Sequence, residues 1–237
     1  RHSKSETVSR LFSAYYLYRH PERFVGIASY GADLAYTLSR SARDYYERGG
    51  GLLHRAAKAV KYWLTRLRGG LWAAGVGGPA TGKGYHLGIV DHPLKDWREA
   101  SSETIRGRIQ DWWSTVWATR EEPGGAQVIV QTRWHEGDLS GWLLDLERDA
   151  LAEGDEPERW YIVNLPAIAD PDDAPTYPAS CTVHADWRQA GEPLCPERYP
   201  LDRLQRMRRR IGEFFFGALF QQRPRPRDGG MFSGSPP

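Results

Sequence analysis

The stretch GGPATGKGYHLGIVDHP, residues 77–93, contains the residue on which the fold assignment depends. Gly77, Gly82 and Lys83 match the phosphate-loop spacing GxxxxGK, but a phosphate loop follows a strand and opens a helix. This match runs instead into YHLGIVD, a short apolar run that predicts a buried strand. We therefore interpret the match as coincidental. The informative residue is Asp91, which ends the predicted strand, although by itself it also fits the start of the turn DHP.

Strand and helix patterns alternate through the first two thirds of the chain. Strands are predicted at 24–29, 87–91, 126–132 and 159–167, and helices at 6–18, 31–47, 98–118 and 138–150. The alternation predicts βαβ units and a mainly parallel sheet covered by helices on both faces. The glycine-flanked basic segment 49–70 fits either a hairpin or a surface insertion.

The last third of the chain has less periodicity. Residues 170–200 predict a long irregular connection, residues 201–222 predict a helix, and RPRPRDGGMFSGSPP has the composition of a linker.

Composition and charge set broad limits on function. The 237 residues are 40% hydrophobic and 26% charged, as in globular proteins, and no apolar run approaches the roughly 20 residues of a membrane span. Two cysteines, Cys181 and Cys195, fit an intracellular protein. The net charge of +2 predicts no polyanion partner by itself. Because the first residue is Arg1 rather than Met, we expect the sequence to be a fragment.

Several residues fit the parts of a nucleotide site. Such a site needs a lysine for the phosphates, and a hydroxyl and a carboxylate for magnesium, at the carboxyl ends of parallel strands. RHSKSE (1–6) places Lys4 and Ser5 directly before a predicted helix, in the order of a phosphate loop. Thr132 and Arg133 stand at the end of another predicted strand, where they could sense a γ-phosphate or start the next loop. Each signal alone is weak, since serine is also a good helix cap.

The order of these segments resembles the large terminase subunit of tailed bacteriophages, the ATPase that packages the viral genome. The likeness is carried by RHSKSE, SRLFSAYYLYRHP, VGIASYGADLA, GGPATGKGYHLGIVDHPLKDWREASS, RGRIQDWWSTVWATR, QTRWHEGDLSGWL, GEPLCPERYP and GALFQQRPRPRDGGMF. It covers nearly the whole chain and is poorest over 49–70.

The resemblance implies a fold and a domain plan. The fold is a P-loop NTPase of the ASCE (RecA-like) type, a three-layer αβα domain with a mainly parallel sheet and an irregular C-terminal extension. The implied ATPase domain is 1–168, with its first strand and the start of Walker A expected upstream. An irregular connection and helix follow at 169–222. A linker at 223–237 leads toward a nuclease domain that this sequence lacks.

The resemblance also assigns roles to residues. RHSKS corresponds to a deviant Walker A motif, in which Ser3 stands where glycine is usual; the residues implied to bind ATP are Arg1, His2, Ser3, Lys4 and Ser5. Asp91 corresponds to the Walker B aspartate, which would hold Mg²⁺ together with Ser5. Thr132 falls in the coupling motif that links hydrolysis to DNA movement, with Arg133 beside it. Lys83 is then not the phosphate-loop lysine.

One position departs from the family pattern. His92 stands where a second acidic, catalytic residue is usual. A neutral imidazole can act as a base near pH 7, so hydrolysis is compatible with histidine, and so is a weakened enzyme such as a prophage remnant. The carboxylates of Asp96 and Glu99 are nearby and are expected on the surface. Candidate DNA contacts are Arg206, Arg208, Arg209 and Arg210, which equally fit a solvated or subunit-packing helix face.

The implied function is ATP-driven translocation of double-stranded viral DNA into the procapsid, with ATP and Mg²⁺ as cofactors. The implied partners are double-stranded DNA, the portal protein, the small terminase subunit and further copies of the chain in a ring, without a membrane. The implied location is the host cytoplasm and, transiently, the procapsid portal.

The full-length protein would also cut DNA. Nuclease activity is not expected from 1–237, where adjacent His135 and Glu136 diverge and do not predict a metal pair. Two alternatives from other classes are a non-hydrolysing DNA-binding or assembly module and a helicase-like repair ATPase.

Overall fold

The computed structural model describes residues 3–78 and 82–226, which divide into two compact units after Gln131. Arg1, His2 and the 227–237 part of the expected linker lie outside the described residues. The first unit consists of a π-helical segment (Glu6–Phe12), α1 (Ser13–Arg19), β1 (Phe24–Ser29), α2 (Ala32–Arg48), β2 (Leu53–Ala59), β3 (Tyr62–Thr65), β4 (Gly70–Gly75), β5 (Tyr85–Asp91), α3 (Trp97–Ser101), α4 (Glu103–Trp112), a π-helical turn (Trp113–Trp117), a 3-10 turn (Ala118–Arg120) and β6 (Glu121–Val130). The second consists of α5 (Leu139–Glu153), β7 (Tyr161–Ile162), a 3-10 turn (Pro171–Asp173), β8 (Thr182–Val183) and α6 (Leu201–Leu219).

The first unit is built on a six-stranded sheet in the order β2-β3-β4-β1-β5-β6. Strands β4, β1, β5 and β6 are parallel, and β2 and β3 form an antiparallel hairpin attached to β4. The predicted α/β class, with a mainly parallel sheet between helices, is confirmed. The segment 49–70 forms the hairpin, one of the two possibilities that the sequence left open.

Different side chains cover the two faces of this sheet. On one face, apolar residues of α1 and α2 such as Leu17 and Leu38 pack on Ile27 and Ile89 in a fully buried core. On the other face lie Trp72, Tyr85, Trp112 and Trp117, with adjacent ring centroids 4.8–5.7 Å apart. The rings lie close to the sheet because Gly26 leaves room, since a Cβ there would be 2.6 Å from Trp72 Cζ2.

Two strand predictions differ from the structure. Strand β4 was not predicted, because its sequence GLWAAG is rich in glycine and alanine, which have low strand propensity. The predicted strand 159–167 is wrong beyond Tyr161–Ile162, which pair with β8 in a separate two-stranded sheet. The following backbone instead bonds to the end of α6: Ala167 N donates to Phe220 O at 2.8 Å, and Ile168 N to Gln221 Oε1 at 3.0 Å.

Two further boundaries moved. The turn EEPGG is part of β6, which begins at Glu121 and ends at Val130, so Thr132 follows the strand. The helix predicted at 98–118 is divided, because Ser102 is extended and its hydroxyl caps α4. The domain boundaries expected at 168 and 222 stay predictions. None of the described helices is long and apolar enough to cross a bilayer.

Candidate nucleotide site

Asp91 lies at the carboxyl end of β5, inside the protein. Side chains alternate along a strand, so Asp91 points to the same face of the sheet as Leu87 and Ile89, which is the face covered by α1 and α2. Asp91 is fully buried, with 0% of its surface exposed. A buried carboxylate requires hydrogen-bond donors, and the first helix of the chain supplies two of them.

Those two donors are the serines of the π-helical segment and of the turn before it. Ser5 Oγ donates to Asp91 Oδ1 at 3.1 Å, and Ser9 Oγ donates to Asp91 Oδ2. Residues four apart share one side of a helix, so both hydroxyls face the strand end. Ser5 was predicted from the sequence as a site residue, and Ser9 was not. The available signal was the Ser5–Ser9 spacing itself.

Lys4 reaches the same edge of the sheet. Its Nζ donates to the carbonyl oxygen of Gln131 at 2.5 Å, directly after β6. Asp91, the last residue of β5, is opposite Val130, the last residue of β6. Gln131 therefore lies one residue past the edge of the sheet at which Asp91 lies. The structure therefore places Lys4, Ser5 and Asp91 at one edge of the sheet.

The backbone before Lys4 has a conformation that suits a tight loop. Ser3 has φ 57°, in the left-handed region that glycine occupies most readily. Ser3 stands where the family pattern has glycine, so this serine holds a glycine-like turn. The carbonyl of Ser3 accepts from Thr7 N at 3.0 Å, which ties the turn to the helix that follows.

His92 contacts the buried aspartate directly. Its Nδ1 lies 2.5 Å from Asp91 Oδ1, and its side chain is 33% exposed. Its backbone is fixed at φ 54°, with N donating to Val130 O at 2.7 Å and O accepting from Tyr30 N at 2.9 Å. If Nδ1 donates to the carboxylate, Nε2 is the nitrogen that can accept a proton.

The other carboxylates of this region belong to α3. Asp96 caps the helix by accepting from the backbone N–H groups of Arg98 and Glu99, and Glu99 accepts from Lys95 N at 2.8 Å. Through these hydrogen bonds, both side chains stabilise the turn that leads into α3. Asp91 and His92 are thus the hydrogen-bonded pair at the end of β5.

The oxygen atoms of Ser5 and Asp91 suit magnesium. Mg²⁺ prefers octahedral oxygen ligands at about 2.1 Å, which places neighbouring ligands about 3.0 Å apart. The 3.1 Å between Ser5 Oγ and Asp91 Oδ1 matches that separation. Within the described residues, no three His, Cys, Asp or Glu side chains group together as a metal site. Magnesium here would therefore take its other ligands from water and phosphate.

Thr132 and Arg133, which the sequence predicts to couple hydrolysis to movement, belong to the second unit. Thr132 is buried, and Arg133 Nε donates to Asp138 Oδ2 at 2.9 Å. Asp138 also caps α5 by accepting from Gly141 N. Arg133 is thus bound to the first turn of α5, and a role in sensing phosphate would require exchange of this ion pair.

The second unit contains a cleft of about 460 Å³ beside α5. Its lining includes Arg133, Arg148, Arg223 and Arg225. All four pair with carboxylates of the same unit. Each of these arginines of the cleft therefore already has a carboxylate partner.

The arginines predicted on α6 differ from one another. Arg206 pairs with Asp202 at 2.7 Å. Arg208 lies over the ring of Phe216 at 4.6 Å and 3.5 Å from Glu213. Arg209 and Arg210 are exposed. Arg206 is exposed like Arg209 and Arg210, but it has a carboxylate partner on the same helix.

Lys83 occupies a place unlike that of a phosphate-loop lysine. Residues 79–81 lie outside the described part, but Lys83 directly precedes β5 rather than a helix. Its ammonium lies 4.1 Å from the ring centroid of Tyr62 on β3. This placement agrees with our interpretation of GGPATGKG.

Comparison with known proteins gives the fold a precedent. No protein-family model and no curated protein matches the sequence. The chain is similar to the crystal structure of the HK97 bacteriophage large terminase, with a TM-score of 0.50 and 14% sequence identity. The similarity covers 93% of this chain and 44% of that one, so the chain spans less than half of the terminase's length. At this identity the likeness shows the fold, and the chain has a terminase-like α/β fold.

Proposed function

We propose that this chain is the ATP-hydrolysing part of a large terminase, a motor that moves double-stranded DNA into a viral procapsid. The observation that supports it most is the convergence of Lys4, Ser5 and Asp91 at one edge of the sheet. The similarity to a phage terminase favours this nucleotide hydrolase over others that share the same parts.

Lys4 is the residue that would bind the terminal phosphates. Its amine now donates to a neutral carbonyl, that of Gln131. A bond from an ammonium to a phosphate is charge-assisted and roughly twice as strong, so ATP would draw the amine away from the carbonyl. The backbone of RHSKS, including Arg1, His2 and Ser3, would surround the phosphates.

Ser5 and Asp91 would hold Mg²⁺, which neutralises phosphate charge when bound. Ser9 is a positioning residue, since its hydroxyl fixes the second carboxylate oxygen of Asp91. His92 would orient the attacking water through Nε2 and accept its proton. Thr132 and Arg133 would transmit the change to the second unit.

The partners in this proposal are double-stranded DNA, the portal protein, the small terminase subunit and other copies of the chain, in the host cytoplasm and at the procapsid portal.

The test compares two lysine variants for Mg²⁺-dependent ATP binding by calorimetry and for DNA-stimulated phosphate release. We expect Lys4→Ala to lower turnover about 10²-fold or more, the usual effect of removing one transition-state charge. Lys95→Ala removes the same charge from an exposed position and should leave turnover unchanged. Wild-type turnover in Lys4→Ala would refute the assignment.

His92 is the observation that favours the alternative, a module that binds DNA or assembles without hydrolysis. The proposal predicts that His92→Ala loses turnover but keeps ATP binding. If the wild-type protein binds Mg²⁺ and ATP but releases no phosphate with DNA present, the non-hydrolysing module is the better description. If it binds no ATP even with upstream residues restored, both the motor and its nucleotide site are rejected.

A further inference from the structure

The β2–β3 hairpin and the segment after it lie in the longest part of the chain without an acidic residue. Between residues 49 and 90 there are six lysines and arginines and no aspartate or glutamate. They are Arg55, Lys58, Lys61, Arg66, Arg68 and Lys83. The net charge of +2 for the whole chain conceals this local excess.

The cations of the hairpin lie at two opposite edges of the sheet. Its turn lies beside the end of β4, because Tyr62 is opposite Trp72 and Ala73 N donates to Lys61 O at 3.0 Å. Since β4 is parallel to β1 and β5, this turn is at the same carboxyl edge as Asp91. Arg66 and Arg68 follow β3 at the other edge.

The hairpin tip is defined as Lys58 and Lys61, which flank the turn between β2 and β3, together with Lys83, which precedes β5 at the amino end of that strand but whose ammonium reaches Tyr62 at the start of β3. Lys58 and Lys61 are exposed. Lys83 lies on the ring of Tyr62, the residue next to Lys61. Burial and then repulsion from the Lys61 ammonium lower the pKa of Lys83.

No carboxylate among the described residues pairs with the hairpin tip. Asp44, on α2, lies 3.8 Å from Arg43, whose guanidinium donates to the carbonyl of Lys58. Glu122 lies next to Gly84 but makes no ion pair with Lys83. Within the part of the chain that the structure describes, no carboxylate therefore compensates the like charges of the tip, and a polyanion would relieve their repulsion.

We propose that the hairpin tip binds the phosphate backbone of double-stranded DNA. The choice of DNA among polyanions rests on the proposed function. Long lysine side chains on a short exposed turn suit contacts to phosphates, which carry no base information and so fit a motor that accepts any sequence. The tip has a stronger claim than Arg206 and Arg208 on α6, which already have partners.

The experiment measures duplex affinity by fluorescence anisotropy over a series of salt concentrations. The test variant is Lys58→Gln with Lys61→Gln, and the matched control is Arg66→Gln with Arg68→Gln, which removes two charges from the same hairpin at the opposite edge. Each phosphate contact contributes about 0.9 to the slope of log affinity against log salt. We therefore expect the test variant to reduce the slope by about 2 and the affinity at 0.1 M salt roughly 60-fold, with the control near wild type.

The remaining outcomes are also decisive. Equal loss of slope in both variants, an unchanged slope in the test variant, or no duplex binding by the wild type would overturn the proposal. Lys58→Arg with Lys61→Arg should restore the slope, which separates charge loss from misfolding. Calorimetry with Mg²⁺ and ATP on the same samples keeps the two proposals distinct: ATP binding with an unchanged slope rejects the hairpin tip alone, and a reduced slope without ATP binding rejects the nucleotide site alone.

Discussion

Removal of the Ser9 hydroxyl tests the buried hydrogen bonds that position Asp91. Ser9 is fully buried and donates to Asp91 Oδ2, a charged acceptor. Ser9→Ala deletes this donor, leaves almost no cavity and keeps the helix. Ser13→Ala is a matched control, since Ser13 is equally buried on the next turn but donates to the backbone carbonyl of Ser9 at 2.9 Å.

The two changes differ in the charge of the acceptor. Hydrogen bonds to charged groups contribute about 1.5–3 kcal/mol, and neutral ones about 0.5–1.5 kcal/mol. Both variants gain the same helix propensity from alanine, so this contribution cancels in the comparison. We expect Ser9→Ala to lower the free energy of unfolding by about 2 kcal/mol, at least about 1 kcal/mol more than Ser13→Ala.

Thermal and urea unfolding provide the measurement. For a chain of this size, 1 kcal/mol shifts the midpoint by about 2–4 °C, so Ser9→Ala should unfold about 4–8 °C below wild type. In an Asp91→Ala background, Ser9→Ala should lower the free energy of unfolding no more than Ser13→Ala does. Equal costs for the two serines in the wild-type background would refute the reasoning, because the carboxylate would then not need its donor.

Three further changes test the fold around the sites. Gly26→Ala places a Cβ 2.6 Å from Trp72, so we expect a loss of about 1–3 kcal/mol in urea unfolding and altered tryptophan fluorescence; unchanged values would contradict the packing. Glu147→Ala leaves several donors of the second unit without their buried acceptor. We expect it to lower the free energy of unfolding of that unit by roughly 3 kcal/mol, as measured by urea unfolding. A hydrogen bond from Tyr45 lowers the pKa of Glu6. The stability that this bond contributes is therefore present above the ordinary carboxyl pKa and is lost as the pH falls through the lowered pKa. Tyr45→Phe should raise that pKa in an NMR titration, and no change would exclude the hydroxyl as its cause.

Local patterns were sufficient for the elements with strong periodicity. The predicted strand 24–29 matches β1, and the helix predicted at 31–47 matches α2 within one residue at each end. The strand that ends at Asp91 was also found, because an apolar run closed by a carboxylate is visible without tertiary information. The same reasoning gave Lys4 and Ser5 as a pair before a helix.

Other features depended on contacts distant in sequence. β4 is a strand because it lies between β1 and β3, although its glycines and alanines do not favour one. The strand predicted at 159–167 was wrong because its backbone groups found partners at the end of α6, which is distant in sequence.

The sequence by itself determined the α/β class and the chemical types at the candidate site: an amine, hydroxyls and a carboxylate. Only the tertiary structure decided that Ser5 bonds to Asp91 while Lys4 bonds to the residue after β6, that Ser9 completes the hydrogen bonds of Asp91, and that the turn between β2 and β3 lies at the same edge. The physical reason is that periodicity is a property of neighbouring residues. Pairing across a sheet and satisfaction of a buried charge are set by which distant segments share one core.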